Sequence, residues 1–139
     1  MSVVDDHLAL SILSGRQVRH WPDGAPWIPW GFHFRLVRAV LDMRLQGRLS
    51  SGIDERVLRL VVAPPADMLR VIDPRNLTAT AARLMTLYPL SLVGAELLSA
   101  GIVLGTPVHV GHGNVGRSWP EVAEAEGIDL HIEPANPTD

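Results

Sequence analysis

The sequence predicts an α/β fold, a three-layer α/β/α sandwich around a mostly parallel sheet. Three observations support this class: short β-branched or alternating apolar runs recur, segments with helical spacing separate them, and Gly or Pro marks most junctions. Strands that alternate with helices pair in parallel, because each crossover returns the chain to the same edge of the sheet. The 139 residues, 47% of them apolar, predict a single domain over 1–133 and a polar tail over 134–139.

The first fifty residues predict one strand and two helices. Ser2–Val4 is β-branched and predicts the first strand, and the apolar residues of 7–13 predict a short helix that ends at Gly15. Residues 20–29 contain three prolines and predict a loop. Helical spacing over about 30–45 gives one apolar stripe made of Trp30, Phe34, Val37 and Leu41. The opposite face carries Arg35, Arg38 and Asp42, of which Arg38 and Asp42 have the spacing of an i,i+4 ion pair.

The rest of the chain continues the alternation. Ser51 with Asp54 resembles a capping box, and the helix that follows ends at Pro64-Pro65. The remaining predicted elements are a short strand at 69–72, helices over 77–88 and 91–104, a strand at 107–110, a turn at 111–114, a helix from Ser118 to Gly127, and a last strand over 128–132. Ser91 and Ser118 are the expected caps of their helices.

Composition excludes several classes of protein. The net charge is −3, which disfavours a protein that coats nucleic acid by bulk charge. Cys is absent, so disulfides and thiolate metal sites are excluded. Asp5 and Asp6 occupy the place where a signal peptide carries positive charge, and Pro107 and several glycines break the longest uncharged stretch, 97–116. We therefore expect a cytoplasmic protein without a membrane segment.

Two strand ends are expected to form a site. In open parallel sheets, ligands gather at the carboxyl ends of strands near a topological switch point. This rule selects Asp5-Asp6, after the first strand, and His112–Asn114, after the strand at 107–110.

The order of several motifs resembles a known family. The opening is Val3-Val4-Asp5-Asp6-His7-Leu8-Ala9, and Gly47-Arg48-Leu49-Ser50 follows the long helix. The later motifs are Leu97-Leu98-Ser99-Ala100, Leu104-Gly105-Thr106-Pro107-Val108, Gly111-His112-Gly113-Asn114 and Ala123-Glu124-Ala125-Glu126-Gly127-Ile128. Their order and spacing, over nearly the whole chain, resemble the PIN domain of VapC-type toxin ribonucleases.

The resemblance implies a nuclease site that this sequence does not complete. PIN nucleases cut RNA with clustered acids that bind Mg²⁺ or Mn²⁺, and the metal supplies a hydroxide nucleophile. The first acid corresponds to Asp5, but the other three positions fall at Arg35, Gly94 and His112. Arg35 would repel a divalent ion, and Glu96 lies about 200° around the helix from Gly94, so it should not substitute. The resemblance therefore implies a degenerate active site with no cofactor, or Mg²⁺ or Mn²⁺ if the protein is active.

Each candidate residue has a structural and a functional interpretation. Asp5 and Asp6 are candidate catalytic residues and metal ligands; alternatively, Asp6 caps the following helix and Asp5 pairs with Arg35. His112 is a candidate general base or ligand of a soft metal; alternatively, its Gly-flanked turn is chosen for backbone geometry. Arg35, Arg38 and Asn114 are candidate phosphate or nucleic-acid contacts, although exposed arginines on a helix are common.

The Trp-rich segment 21–34 has three interpretations. It contains Trp21, Trp27, Trp30, Phe32 and Phe34, next to Arg19, His20 and His33. Core and lid packing comes first, an interface with a partner or a second copy comes second, and stacking on RNA bases comes third.

Three functional hypotheses follow. The first is a PIN-like protein of toxin–antitoxin type that binds RNA, an antitoxin or other protein partner, or its own copy as a homodimer, without cleavage. The second is a metal-dependent ribonuclease with a non-standard site around Asp5, Asp6 and His112. The third is a small-molecule-binding domain that uses the same crevice at the strand ends.

Overall fold

The computed structural model describes residues 1–15, 24–49 and 53–134. It confirms the predicted α/β class: helices flank a five-stranded, all-parallel sheet in a three-layer sandwich. The elements are β1 (Val3–Val4), α1 (Asp6–Leu13), β2 (Trp27–Pro29), α2 (Trp30–Leu45), α3 (Glu55–Val62), β3 (Arg70–Ile72), α4 (Thr78–Leu87), α5 (Leu92–Leu104), β4 (Val108–Gly111), α6 (Trp119–Glu126) and β5 (Leu130–Glu133). Short 3₁₀ turns over Pro74–Asn76 and His112–Asn114 follow β3 and β4.

The sheet has the strand order β3-β2-β1-β4-β5. From β1 the chain extends the sheet in one direction through β2 and β3, then crosses back and extends it in the other direction through β4 and β5. Helices α1, α2 and α3 contact one another, as do α4 with α5 and α5 with α6, which gives the two outer layers. Because the direction reverses between β1 and β4, the topological switch point lies at their carboxyl ends.

The core lies on both faces of the central strand β1, whose two valines are fully buried. On one side, α5 approaches β4 very closely: a Cβ added at Gly101 would lie 2.6 Å from Val108 Cγ2. Helix α5 is buried along most of its length, and Gly105 ends it in the left-handed conformation. These contacts lie at the amino end of β4, and the predicted site residues lie at the opposite, carboxyl edge of the sheet.

The prediction that residues 20–29 form only a loop is wrong at its end. Trp27–Pro29 forms β2, which lies between β1 and β3 and pairs with both. Pro29 is the last residue of the strand and the residue before α2, where its missing N–H costs little. The prolines therefore bound a very short strand in this segment. Residues 16–23, including Arg19, His20 and Trp21, lie outside the described part of the chain.

Helix α2 has the predicted bounds, but the predicted stripe is not the face that packs on the core. The buried face carries Phe32, Leu36 and Val40, whereas Trp30, Phe34 and Leu41 are exposed. Both faces have helical apolar spacing, so periodicity alone does not show which one meets the sheet. The junction between β2 and α2, which has no intervening loop, sets the rotation of the helix.

Two local predictions about α2 and α6 are also wrong. Within the described residues Arg38 and Asp42 make no ion pair, and Asp42 instead accepts a hydrogen bond from Gln46 Nε2 at 3.0 Å. Ser118 makes no capping bond; its hydroxyl donates to the Pro89 carbonyl at 3.4 Å. Ser118 has helical backbone angles (φ −91°, ψ −6°) and not the extended backbone of a capping residue.

Helices α3 and α5 begin at side-chain caps. Asp54 Oδ1 accepts from the Val57 N–H at 3.0 Å and begins α3, while the predicted Ser51 lies outside the described residues. Ser91 Oγ accepts from the Gly94 N–H at 3.2 Å and begins α5, as predicted. Among the described helices, none is by itself long and apolar enough to cross a membrane; α4 and α5 reach that length and composition only as a pair bent by 117°.

Candidate functional site

A polar cluster of four side chains lies at the switch point. Asp5 and Asp6 follow β1, Asn114 follows β4, and Arg35 reaches the same place from α2. We call these four residues the switch-point cluster. The cluster joins chain positions more than one hundred residues apart, since the side chains of Asn114 and Asp5 bond across 109 positions.

Asp5 is the fully buried member of the cluster. Its Oδ1 accepts from the Leu8 N–H at 3.0 Å and caps α1, and its Oδ2 accepts from the Gly111 N–H at 2.8 Å. The expectation that Asp6 caps the helix is therefore wrong, because Asp5 has the extended backbone of an N-cap residue. A Cβ at Gly111 would lie 2.9 Å from His7 Cβ, so only glycine allows the end of β4 to lie this close to His7 on α1.

Asp6, not Asp5, is the partner of Arg35. Arg35 Nε donates to Asp6 Oδ2 at 2.7 Å and Nη2 donates to Asp6 Oδ1 at 2.9 Å, a two-point pair. As the first residue of α1, Asp6 projects towards α2, whereas the Asp5 side chain folds back over the helix start. The hydrogen bonds to Asp6 raise the pKa of Arg35 above its usual value, against the opposing effect of partial burial.

Asn114 connects the other three members. Its Nδ2 donates to Asp5 Oδ2 at 2.9 Å and to Asp6 Oδ1 at 2.8 Å, and its Oδ1 accepts from Arg35 Nη2 at 2.8 Å. Only an amide nitrogen can donate to two carboxylates at once while the oxygen of the same group accepts, so the chemistry fixes the orientation of the side chain. Asn114 therefore lies between the two acids as a neutral double donor.

The donor set of this cluster does not fit a divalent cation. Two carboxylates, one guanidinium and one neutral amide sum to a formal charge of −1, and the amide hydrogens point between the carboxylates. Mg²⁺ requires about six oxygen ligands near 2.1 Å, and the amide –NH₂ group that Asn114 turns towards the carboxylates is not a ligand. Over the residues that the structure describes, no three His, Asp or Glu side chains are grouped so as to hold a metal ion.

An aromatic ring fills the space beside Gly94, a position that the resemblance assigns to an acid. A Cβ at Gly94 would lie 2.6 Å from Trp119 Nε1 and 3.0 Å from Cε2. Gly116 contacts the same indole, and Trp119 is buried. A carboxylate side chain at position 94 would therefore collide with Trp119, so the packing of α5 against α6 requires a glycine at this position.

Aromatic packing also holds Arg35. Its guanidinium carbon lies 4.7 Å from the centre of the Phe32 ring, and Phe32 meets Trp119 edge-on with ring centres 6.5 Å apart. The guanidinium is therefore fixed by Asp6, by Asn114 and by an aromatic face. This rigid support keeps a positive charge at the position that the resemblance assigns to an acid.

Two predicted site residues do not join the cluster. His112 is exposed on the 3₁₀ turn, and no contact within the described residues connects its ring to the cluster. Arg38 is exposed on α2. The turn after β4 thus supplies Asn114, two residues further along the chain than the position that motif alignment selects.

Glu96 is a polar residue whose structural place the sequence argument missed. It is only 7% exposed, and its Oε1 accepts from the Gly31 N–H at 2.7 Å, which caps α2 where Pro29 has no side-chain donor or acceptor. Within the described residues its one hydrogen bond is this contact, which lies outside the switch-point cluster. The available signal was that Glu96 is the one charged residue in an otherwise apolar helix.

This chain was compared with protein-family models and with curated proteins. Neither a scan against protein-family models nor a search of the curated proteins finds a match to this chain.

Proposed function

We propose that this chain is a cytoplasmic, PIN-like protein of toxin–antitoxin type that binds a protein partner and does not cleave RNA. The observation that carries the proposal is the Asn114 amide, which donates to both Asp5 and Asp6 where a nuclease would need a cation. The parallel five-stranded sheet and the order of the PIN-like motifs support the family part of the proposal.

The absence of cleavage follows from the charges around the strand ends. A metal at Asp5 and Asp6 would have to displace the Asn114 amide and break a two-point ion pair with Arg35. Each such charge-assisted bond contributes about 1.5–3 kcal/mol. A single remaining pair of carboxylates offers too few hard oxygen ligands to repay that loss.

The binding surface is the exposed stripe of α2. It consists of the exposed Trp30, Phe34, Leu41 and Leu45 and the half-buried Val37, a helix face about 24 Å long by the usual rise per residue. Leu45 is 86% exposed and Phe34 is 52% exposed. An apolar stripe of this length on a folded domain is typical of a docking face for another protein.

A protein partner suits this surface better than RNA. Bases bind single-stranded sites by stacking on free aromatic faces, with cations along the backbone. Here the rings of Trp30 and Phe34 already stack on each other at 5.2 Å, and the rest of the stripe is aliphatic. A pair of aromatic side chains next to uncharged, apolar ones is typical of the core of a protein interface, which is enriched in aromatic residues and poor in charge.

The first experiment tests cleavage and metal binding. We expect calorimetry with Mn²⁺ to show no site on the wild-type protein, and an RNA cleavage assay with Mg²⁺ or Mn²⁺ to show no product. Asp5→Ala and Asp6→Asn are the matched variants, and circular dichroism reports whether each still folds. Cleavage by the wild type that both variants lose would overturn the proposal in favour of the metal-dependent ribonuclease.

The second experiment tests the partner surface. The chain is co-expressed with the product of the adjacent gene, and complex formation is measured by gel filtration and calorimetry. We expect Phe34→Asp and Leu41→Asp to weaken binding at least about tenfold, since buried anchors contribute more than 1 kcal/mol each. Val103→Asp is the control, because Val103 is 45% exposed on α5 and outside the stripe.

The outcomes of this second experiment are distinct. Self-association that the stripe variants abolish assigns the surface to a second copy of this chain. Binding of single-stranded RNA that depends on Phe34, with no protein complex, would contradict the choice of a protein partner. Equal affinity of all variants would show that the stripe is not the interface.

A further inference from the structure

We propose that a separate pocket around Glu96 binds a small organic cation, an ammonium or guanidinium group on a short apolar body. The pocket lies at the same sheet edge as the switch-point cluster but beyond the ends of β2 and β3, between α2, α4 and α5. It shares no residue with that cluster, and this inference goes beyond the proposed function.

The pocket has apolar walls and one charge. Its volume is about 320 Å³, and Trp30, Leu77, Ala81, Met85, Leu92 and Glu96 are among the residues that line it. Thr78 is a further polar lining residue, but its hydroxyl donates to the Pro74 carbonyl at 2.9 Å. Glu96 is therefore the group that decides which ligand the pocket prefers.

The Glu96 carboxylate is buried without a cation beside it. Within the described residues it forms no ion pair, and its one hydrogen bond is the 2.7 Å contact from the Gly31 N–H. Arg75, on the turn that borders the pocket, is paired with Asp73 at 2.6 Å and is 88% exposed. Removing a carboxylate from water is costly unless a positive charge compensates it, and one N–H at a helix start compensates it only in part.

Helix capping alone does not account for this arrangement. A cap requires one acceptor atom, and a neutral side chain supplies it as well as a carboxylate does. It does not require an open apolar cavity beside the acid or an indole at the mouth of that cavity. Trp30 lies there and is 46% exposed.

The chemistry of the pocket favours an organic cation over a metal ion. An ammonium or guanidinium gains an ion pair with Glu96 and a cation–π contact with Trp30, while its apolar body fills the cavity. A metal ion finds one carboxylate and apolar walls, which do not complete a coordination shell. The volume is at the small end of ligand sites, which suits a chain of about four to six carbons.

The test compares matched ligands on the folded protein. n-Butylammonium and n-butylguanidinium are titrated by NMR, with n-butanol as the neutral ligand of similar size. We expect saturable binding of one cation per chain, and at least about tenfold weaker binding of n-butanol, the ratio that a charge-assisted bond produces. Equal binding of n-butanol, or no saturation with either cation, would overturn the proposal.

Two variants isolate the charge. Glu96→Gln keeps an oxygen that accepts from the Gly31 N–H, so the α2 cap remains while the charge is lost. We expect it to reduce cation binding at least about tenfold, whereas Glu124→Gln, at an exposed carboxylate on α6, leaves binding unchanged. Cation binding that survives Glu96→Gln in the folded protein contradicts the proposal.

A third variant tests the pocket without changing Glu96 or a buried residue, so its effect does not depend on a folding defect. A further ligand then identifies the source of the cation. Ala82 is exposed on α4 and lines the pocket, so Ala82→Arg adds a competing cation without disturbing the core, and we expect it to abolish binding. N-acetyl-lysine methylamide presents the same ammonium on a peptide. Binding equal to that of n-butylammonium assigns the site to a side chain of another protein, and binding of n-butylammonium alone assigns it to a free amine.

Discussion

Replacing Asn114 by aspartate places a third carboxylate between two others. The wild-type amide donates to Asp5 Oδ2 at 2.9 Å and to Asp6 Oδ1 at 2.8 Å. Asn114→Asp has nearly the same shape but cannot donate while it is ionised. The substitution therefore removes two hydrogen bonds and adds like-charge contacts, while its contact with Arg35 remains available.

The expected loss of stability is large. Each lost bond to a charged acceptor contributes about 1.5–3 kcal/mol. Two unit charges about 4 Å apart repel by up to about 4 kcal/mol at an effective dielectric constant near 20. The guanidinium of Arg35 offsets part of both effects, so we expect Asn114→Asp to lower the free energy of unfolding at pH 7 by about 3–5 kcal/mol.

A second substitution separates the effect of charge repulsion on the free energy of unfolding from the effect of the lost hydrogen bonds. Asn114→Ala removes these bonds and the bond with Arg35 without adding charge, and water replaces part of them because Asn114 is half-buried, so we expect a loss of about 2–3 kcal/mol. Urea unfolding followed by circular dichroism measures all three proteins. The difference between the two variants, about 1–2 kcal/mol, is the contribution of the added charge.

The pH dependence has a definite sign. The two neighbouring carboxylates raise the folded-state pKa of the introduced carboxyl above the ordinary aspartate value of about 3.9. Stability is therefore lost as pH rises through that raised pKa and is recovered on acidification. We expect the deficit of Asn114→Asp relative to the wild type to be smaller at pH 5 than at pH 7, while the deficit of Asn114→Ala changes little.

Two results would refute this reasoning. If Asn114→Asp unfolds at the same urea concentration as the wild type at pH 7, the amide does not bridge the two acids. If its deficit equals that of Asn114→Ala and does not depend on pH, like-charge contact is absent from the switch-point cluster.

Three other predictions follow from the same geometry. Gly94→Ala places a Cβ 2.6 Å from Trp119, and we expect urea unfolding to show a loss of about 1–3 kcal/mol; an unchanged midpoint would show that the indole moves freely. Arg35→Gln leaves Asp6 without its ion pair, and we expect a loss of about 2–4 kcal/mol that does not occur on Arg38→Gln. Asp54 has its pKa lowered from 3.8, first by a backbone hydrogen bond at the start of α3. Its charge therefore stabilises the fold above about pH 4 and loses that effect below it, and the acid-unfolding curve of Asp54→Asn should lack this component.

Much of the fold was predictable because its signals are local. The alternation of apolar periods gave the α/β class and four of the five strands, and Ser91 marked the start of α5. The strand β2 was missed because Pro26 precedes it and Pro29 ends it, a composition typical of loops, and its pairing partners lie far away in the chain. The buried face of α2 was misassigned because both of its faces are apolar.

The candidate site was predictable in place but not in detail. The switch-point rule selected Asp5, Asp6 and the turn at 112–114, and the structure brings Asp5, Asp6 and Asn114 together. The assignment of partners failed, because Asp5 caps α1 and Asp6 pairs with Arg35. Asp5 has the extended backbone of an N-cap residue, and Asp6 is the first residue of α1. The Asp5 carboxylate therefore turns back to the start of the helix, while the Asp6 carboxylate reaches Arg35.

The sequence by itself determined the α/β architecture with its mostly parallel sheet, and it placed Arg35, Gly94 and His112 at the positions that the resemblance assigns to acids. Only the tertiary structure decided that Asn114, and not His112, bridges the two aspartates, that Trp119 fills the space over Gly94, and that Glu96 borders a cavity. Hydrophobic periodicity and helix caps involve residues that are neighbours in the chain, so they can be read from one segment of the sequence. Contacts across 109 positions depend on how sheet register and helix rotation combine, and no local pattern encodes that combination.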